Sequence, residues 1–133
     1  MSRYLLDTNI LSDLIKNPRG PVAHRIARVG EDRVCTSIVV AAELRYGGAK
    51  SGSKRLLEAI EKILAELDVL PLEVPADAEY GRLRAELEKA GTPIGGNDQL
   101  IAAHALALEA TIVTSNVAEF SRVKGLRVEN WLA

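Results

Sequence analysis

Arg3-Tyr4-Leu5-Leu6-Asp7-Thr8-Asn9 is the stretch on which the fold turns. Tyr4, Leu5 and Leu6 form an apolar run with no polar alternation, the pattern of a strand buried on both faces. The run stops at a carboxylate. Thr8 and Asn9 then open a segment in which Ile10, Leu11, Leu14 and Ile15 recur at helical spacing. In open α/β sheets ligands bind beyond the carboxyl ends of the strands, so Asp7 stands where such proteins place their chemistry. Asp7 can equally cap the helix by accepting backbone N–H groups, and this stretch alone leaves both roles open.

The same grammar repeats outward from it. Asn17-Pro18-Arg19-Gly20 is a turn, Pro21 suits a first helical position, and Val22, Ile26 and Val29 mark a short helix ending at Gly30. Arg33 to Thr36 reads as a second strand. Ser37 is placed to cap a helix from Ile38 to Tyr46, which Gly47-Gly48 is expected to terminate. Leu56, Leu57, Ile60, Ile63, Leu64 and Leu67 form an apolar stripe between Ser53 and Asp68. It serves either the core or an interface. Val69 to Leu72 is a third strand, placed at a sheet edge by Pro71. A helix from Pro75 to Ala90 closes at Gly91. Asn97 is then expected to cap a helix that is apolar almost all round, a core helix. Thr111 to Thr114 is the fourth strand and Leu126 to Val128 a short fifth. No repeat, linker or low-complexity segment divides the chain, so residues 1–133 are expected to form one domain. Alternating strands and helices predict an α/β fold, a parallel sheet with helices on both faces and right-handed crossovers.

Composition narrows the class. A chain of 133 residues with 47% hydrophobic and 26% charged residues has enough apolar material for one core. Seventeen basic against 18 acidic side chains leave a net charge of -1, so a polyanionic partner must be met by a local basic patch. Cys35 is the only cysteine, which excludes an intrachain disulfide and a cysteine metal site; its apolar neighbours make it a core residue. The longest apolar run, Ile38 to Ala42, is too short to cross a bilayer, and a soluble, cytoplasmic protein is expected.

Four acidic positions share one placement. Asp7 ends the first strand, Glu43 rides the helix after the second, Asp98 opens the core helix, and Asn116 with Glu119 follows the fourth strand. A lone Glu amid Ile38, Val39, Val40 and Leu44 is costly to bury unpaired, and partial burial is expected. In a parallel sheet these segments converge on one rim. Two like charges about 4 Å apart repel by about 4 kcal/mol at an effective dielectric near 20, so such a cluster calls for protons or a cation. Oxygen-only donors favour Mg²⁺ or Mn²⁺ over Zn²⁺, and such an ion activates water and neutralises charge on a phosphoryl group. The chemistry indicated is phosphodiester hydrolysis. Local roles compete with it, most clearly for Asp98, since an acid in a helix's first turn is stabilised by the dipole anyway.

Four motifs carry a family resemblance over essentially the whole chain. Leu5-Leu6-Asp7-Thr8-Asn9-Ile10, Ala42-Glu43-Leu44-Arg45-Tyr46-Gly47 and Gly95-Gly96-Asn97-Asp98-Gln99-Leu100-Ile101-Ala102-Ala103-His104 resemble the PIN-domain ribonucleases. The ending Val113-Thr114-Ser115-Asn116-Val117-Ala118-Glu119-Phe120, with Glu129-Asn130-Trp131, is similar to the VapC toxins of bacterial toxin–antitoxin pairs. The resemblance implies a Rossmann-like three-layer fold with sheet order 3-2-1-4-5, and a Mg²⁺- or Mn²⁺-dependent endoribonuclease. It also implies a cognate VapB antitoxin, a homodimer, and a tRNA substrate, initiator tRNA in particular, cut in the anticodon loop. Asp7, Glu43 and Asp98 match the family's acids, with Asp7 and Asp98 as direct metal ligands. Asn116 stands where many PIN domains carry Asp; it offers a carbonyl oxygen but no charge, so Glu119 is the candidate fourth acid and the number of metal ions stays open.

The remaining polar residues have supporting roles. Thr8 and Ser37 either hydrogen-bond the carboxylates or cap helices, and Asn9 orients Asp7 or the RNA. His104 reads as a core histidine rather than a general base, and His24 as a surface residue. Arg3, Arg45, Lys50, Lys54 and Arg55 are candidates for a basic rim. Two other functions fit parts of the pattern. One is a PIN scaffold that binds RNA or protein without cutting. The other is a small-molecule phosphatase with Asp7 as nucleophile, which would want a second Asp where Asn9 stands.

Overall fold

The computed structural model describes residues 2–132. In chain order they form β1 (Tyr4–Leu6), α1 (Thr8–Lys16), α2 (Pro21–Val29), a 3-10 turn (Glu31–Arg33), β2 (Val34–Ser37), α3 (Ile38–Ser51) and α4 (Lys54–Glu66). There follow β3 (Asp68–Leu70), α5 (Ala76–Lys89), α6 (Gly96–Ala107), β4 (Thr111–Val113), α7 (Val117–Phe120) and β5 (Val128–Glu129). The five strands make one parallel sheet in the order β3-β2-β1-β4-β5. Right-handed crossovers put α1 to α4 on one face and α5 to α7 on the other. Accordingly α1 packs on α2, α3 and α4, while α5 packs on α6.

The central strands are as apolar as their position demands. Leu5, Leu6, Ile112 and Val113 are fully buried, and the α6 residues Ile101, Ala102, Ala103 and Ala105 cover them from one side. Burying each large side chain is worth about 1.5–3 kcal/mol. The edge place expected for the third strand is correct, with Pro71 just beyond its last paired residue. Cys35 is buried and its thiol is pushed up to about 11 by burial. Trp131 is buried against Tyr4, with ring centroids 5.2 Å apart, which ties the carboxyl-terminal segment to the first strand.

Two sequence expectations fail for definable reasons. Gly47-Gly48 does not end α3, which runs on to Ser51 and closes at Gly52 with φ 69°. Gly48 is instead a crossing point: a Cβ there would lie 2.8 Å from Ile60 Cδ1 and 2.9 Å from Leu57 Cδ2 of α4. The packing of α4 onto α3 offsets the roughly 1 kcal/mol that a mid-helix glycine costs. Nor is Asn97 a cap. The last residue before α6 is Gly95, and Asn97 lies inside the first turn. In the α4 stripe Ile60 and Leu64 are buried, whereas Ile63 and Leu67 are half-buried and line an apolar groove with Leu14, Ile15 and Ile26. No helix among the described residues is long and apolar enough to cross a membrane.

Candidate active site

Asp7 is locked at the carboxyl end of β1. Its N–H donates to the Val113 carbonyl at 2.9 Å, so its backbone still belongs to the sheet. Its side chain then does two things at once. Oδ1 accepts the Thr8 N–H at 2.8 Å, capping α1, and Oδ2 accepts the Thr114 hydroxyl at 2.7 Å. The two roles left open by the sequence are therefore compatible, since capping uses one oxygen. Only 4% of Asp7 is exposed. Burial pushes its pKa up; the hydrogen bonds from Thr114 and Thr8 oppose this, and the Glu43 charge adds to it.

Glu43 projects from α3 and is half-buried, as expected. Its Oε1 accepts the Thr8 hydroxyl and its Oε2 accepts the Asn97 amide at 3.1 Å. One residue from α1 and one from α6 thus hold a carboxylate that belongs to α3. Asp98, in the first turn of α6, has its pKa raised to about 6 by burial and then by the charges of Asp7, Glu119 and Glu43. Beyond β4, the Thr114 hydroxyl accepts the Asn116 N–H at 2.9 Å, and the Asn116 amide donates to Glu119 Oε2. Asp7, Thr8, Asn9, Glu43, Asp98 and Asn116 line one hollow of about 530 Å³, joined by Ser12, Asp13, Lys16 and Leu132.

Not every sequence candidate arrives there. Asn9 reaches the rim, but its Oδ1 accepts the Ser115 N–H at 3.2 Å and so ties α1 to the loop after β4. Ser37 is a correction in part: of the two roles left open for it only helix capping is found, its hydroxyl capping α3 through Val39 N–H and meeting His104 Nδ1 in the core at 2.7 Å. His104 is buried, and burial pushes its pKa down, as suits a neutral core imidazole. The proposed basic rim also fails in two places. Arg3 precedes β1 and so lies at the amino end of the sheet, and Arg45 is engaged by both oxygens of Glu61 at 2.8 Å. Lys50, Lys54 and Arg55 are exposed and do not line the hollow.

Sequence reasoning missed Thr114, Asn97 and the α1 residues Ser12, Asp13 and Lys16. A signal existed for Thr114 and for the α1 residues, and none for Asn97. Thr114 follows an apolar strand just as Asp7 does, and 9, 12, 13 and 16 share one helix face.

Among the described residues every polar side chain facing the hollow except Lys16 can offer an oxygen, and no histidine or cysteine lines it. That set suits a hard divalent cation. Among the described residues no three acids close into a ready-made cage. Burial raises the Asp98 pKa first and the charges of Asp7, Glu119 and Glu43 add to it, a repulsion that a cation would relieve.

A parallel sheet in this order, with its acids at the carboxyl rim, is the PIN architecture, and a family model described as the PIN domain matches residues 4–126. The chain belongs to the PIN-domain family, among its VapC ribonucleases. It is 42% identical over 132 residues to the tRNA(fMet)-specific endonuclease VapC of Shigella flexneri, covering 98% of this chain and 99% of that protein. The structure of DNA-bound VapBC from Salmonella typhimurium matches with a TM-score of 0.91 at 38% identity, over 98% of this chain and 99% of that one. VapBC2 from Rickettsia felis, bound to a DNA fragment from its promoter, matches with a TM-score of 0.90 at 37% identity, over 96% and 98%. PIN-domain nucleases as a family use a divalent metal.

Proposed function

We propose that this VapC ribonuclease is a Mg²⁺- or Mn²⁺-dependent endonuclease that cuts tRNA, initiator tRNA first among candidates, in the anticodon loop. The observation that carries the catalytic reading is the gathering of Asp7, Glu43 and Asp98 from three separate elements around one hollow, with Asp98 raised to about 6. The tRNA substrate is inferred from the Shigella flexneri relative. In this reading one domain carries the whole site and works in the bacterial cytoplasm. It forms a homodimer and is held inactive by a VapB-type antitoxin, the antitoxin being inferred from the VapBC complexes of its relatives.

Asp7 and Asp98 would hold the cation, with the neutral Oδ1 of Asn116 beside them. The Asn116 Nδ2 is committed to Glu119, which leaves that oxygen as its ligating end. The bound ion supplies charge neutralisation at the phosphoryl oxygens and a more acidic water. Glu43 and Glu119 orient the attacking water and take up its proton. Thr8 and Asn97 act through Glu43, fixing both of its oxygens.

The test is cleavage of a total tRNA pool by antitoxin-free protein with Mg²⁺, with Mn²⁺ and with chelator, beside an Asp7→Asn protein. A discrete, metal-dependent cut that Asp7→Asn abolishes while keeping the native circular dichroism spectrum is expected. An active Asp7→Asn protein would refute the assignment. An intact tRNA pool with a metal-dependent cut in ribosomal RNA assayed beside it would retain the site and replace the substrate.

A further inference from the structure

RNA is a polyanion, yet the hollow that would receive it is lined by four carboxylates, and Lys16 is the one cation among its described lining residues. A metal ion answers for the scissile phosphate alone. The phosphates on either side need positive charge from elsewhere, and several exposed arginines are already paired with acids. Arg45 pairs with Glu61, Arg82 with Glu79 and Glu86, and Arg84 with Glu88.

Helix α2 differs in composition. Between Pro21 and Val29 it carries His24, Arg25 and Arg28 and no acid. Pro21, His24, Arg25 and Arg28 line a second hollow, of about 220 Å³, with Trp131 as the remaining wall. Arg25 is held in place: its guanidinium lies 5.5 Å from the Trp131 ring centroid and 3.5 Å from Glu129 Oε1, which also accepts the Trp131 indole N–H at 2.9 Å. Arg28 is exposed and forms no ion pair among the described residues. The residue after Trp131, Leu132, lines the acidic hollow. Trp131 and Leu132 are therefore neighbouring wall residues of the two hollows, the first facing the arginines of α2 and the second the acidic hollow.

We propose that the α2 hollow, together with Lys16 on the wall of the acidic hollow, is a phosphate track that binds the RNA backbone on one side of the scissile bond. This rests on the ribonuclease reading above. Arginine suits the task, since its planar fork matches two phosphate oxygens and stays charged. Trp131 is buried and offers no face for stacking a base. The track therefore reads backbone, not sequence, and sets affinity and strand direction. Each phosphate neutralised releases counterions, so its contribution is visible in the salt dependence of binding.

The test uses full-length Asp7→Asn protein, so that RNA is bound and not cut, with fluorescein-labelled bulk tRNA followed by anisotropy across a potassium chloride series. Removing the Lys16 and Arg28 charges together (Lys16→Gln, Arg28→Gln) is expected to weaken binding by about tenfold or more at about 0.1 M salt and to flatten the log–log salt slope by about 1.4; Arg28→Gln alone should flatten it by about 0.7. Lys89→Gln on α5 serves as the control and should change neither. Unchanged affinity and slope in the double variant would overturn the track, as would an equal loss in the control. Tight RNA binding with weakened binding to a VapB-type antitoxin would also overturn it and mark α2 as a protein interface. Wild-type protein that cuts no RNA but binds tRNA through Lys16 and Arg28 would remove the nuclease reading and leave the track standing.

Discussion

Replacing Thr114 with valine removes a single hydroxyl and almost no volume, yet that hydroxyl joins two parts of the site. It donates to Asp7 Oδ2 at 2.7 Å and accepts the Asn116 N–H at 2.9 Å, and Thr114 is wholly buried. A hydrogen bond to a charged group contributes about 1.5–3 kcal/mol, and stranding the Asn116 N–H adds about 1 kcal/mol. The variant should therefore lose about 2.5–4 kcal/mol near neutral pH, a large part of the roughly 5–15 kcal/mol typical of a domain. The loss also has a sign in pH. Thr114 is the largest influence lowering the Asp7 pKa against burial, so its removal raises that pKa further. Once Asp7 is protonated it is no longer a charged acceptor, and the difference between wild type and variant should shrink on acidification. Urea denaturation of metal-free protein at about pH 7.5 and about pH 5 measures both effects. A variant within about 0.5 kcal/mol of wild type near neutrality, the scatter of ordinary surface changes, or a deficit that grows in acid, would refute the reasoning.

Other predictions concern the acids and the α3–α4 crossing. Asp98 is raised to about 6 and Asp7 is raised as well, so the native state holds protons that the unfolded chain has released. Metal-free stability should therefore fall as pH rises from the ordinary carboxylate range through about 6. Excess Mg²⁺ or Mn²⁺ should raise Tm more above that window than below it; a flat profile with and without metal would contradict the coupling. The adjacent glycines of α3 should respond with opposite signs. Gly47 has open space where a Cβ would go, so Gly47→Ala should stabilise by up to about 1 kcal/mol. Gly48→Val would press on Ile60 and Leu57 and should cost about 1–3 kcal/mol in the same denaturation assay.

Much of this molecule is legible in local pattern. The unbroken apolar runs at Leu5 and Ile112 suit strands buried on both faces, and the acid or threonine that ends each run marks the rim where the site forms. Burial of Glu43 to an intermediate degree also follows from its apolar neighbours in α3. These features depend on periodicity and on the cost of burying charge, which a chain carries wherever it folds.

Tertiary structure decided the rest, because those outcomes depend on distance between elements far apart in sequence. Gly48 stays helical because α4 covers it, and Asn97 turns from a cap into a ligand of Glu43 because α3 and α6 meet at the rim. Ser37 finds His104 in the core, 67 positions away, so that of the two roles open to it only capping remains. Lys16 and Leu132, one at the end of α1 and the other near the end of the chain, become walls of one hollow only when the carboxyl-terminal segment folds back over the sheet. Local pattern names the residues that cannot be indifferent to their surroundings; which partner each one meets is set by the packing of the helices on the sheet.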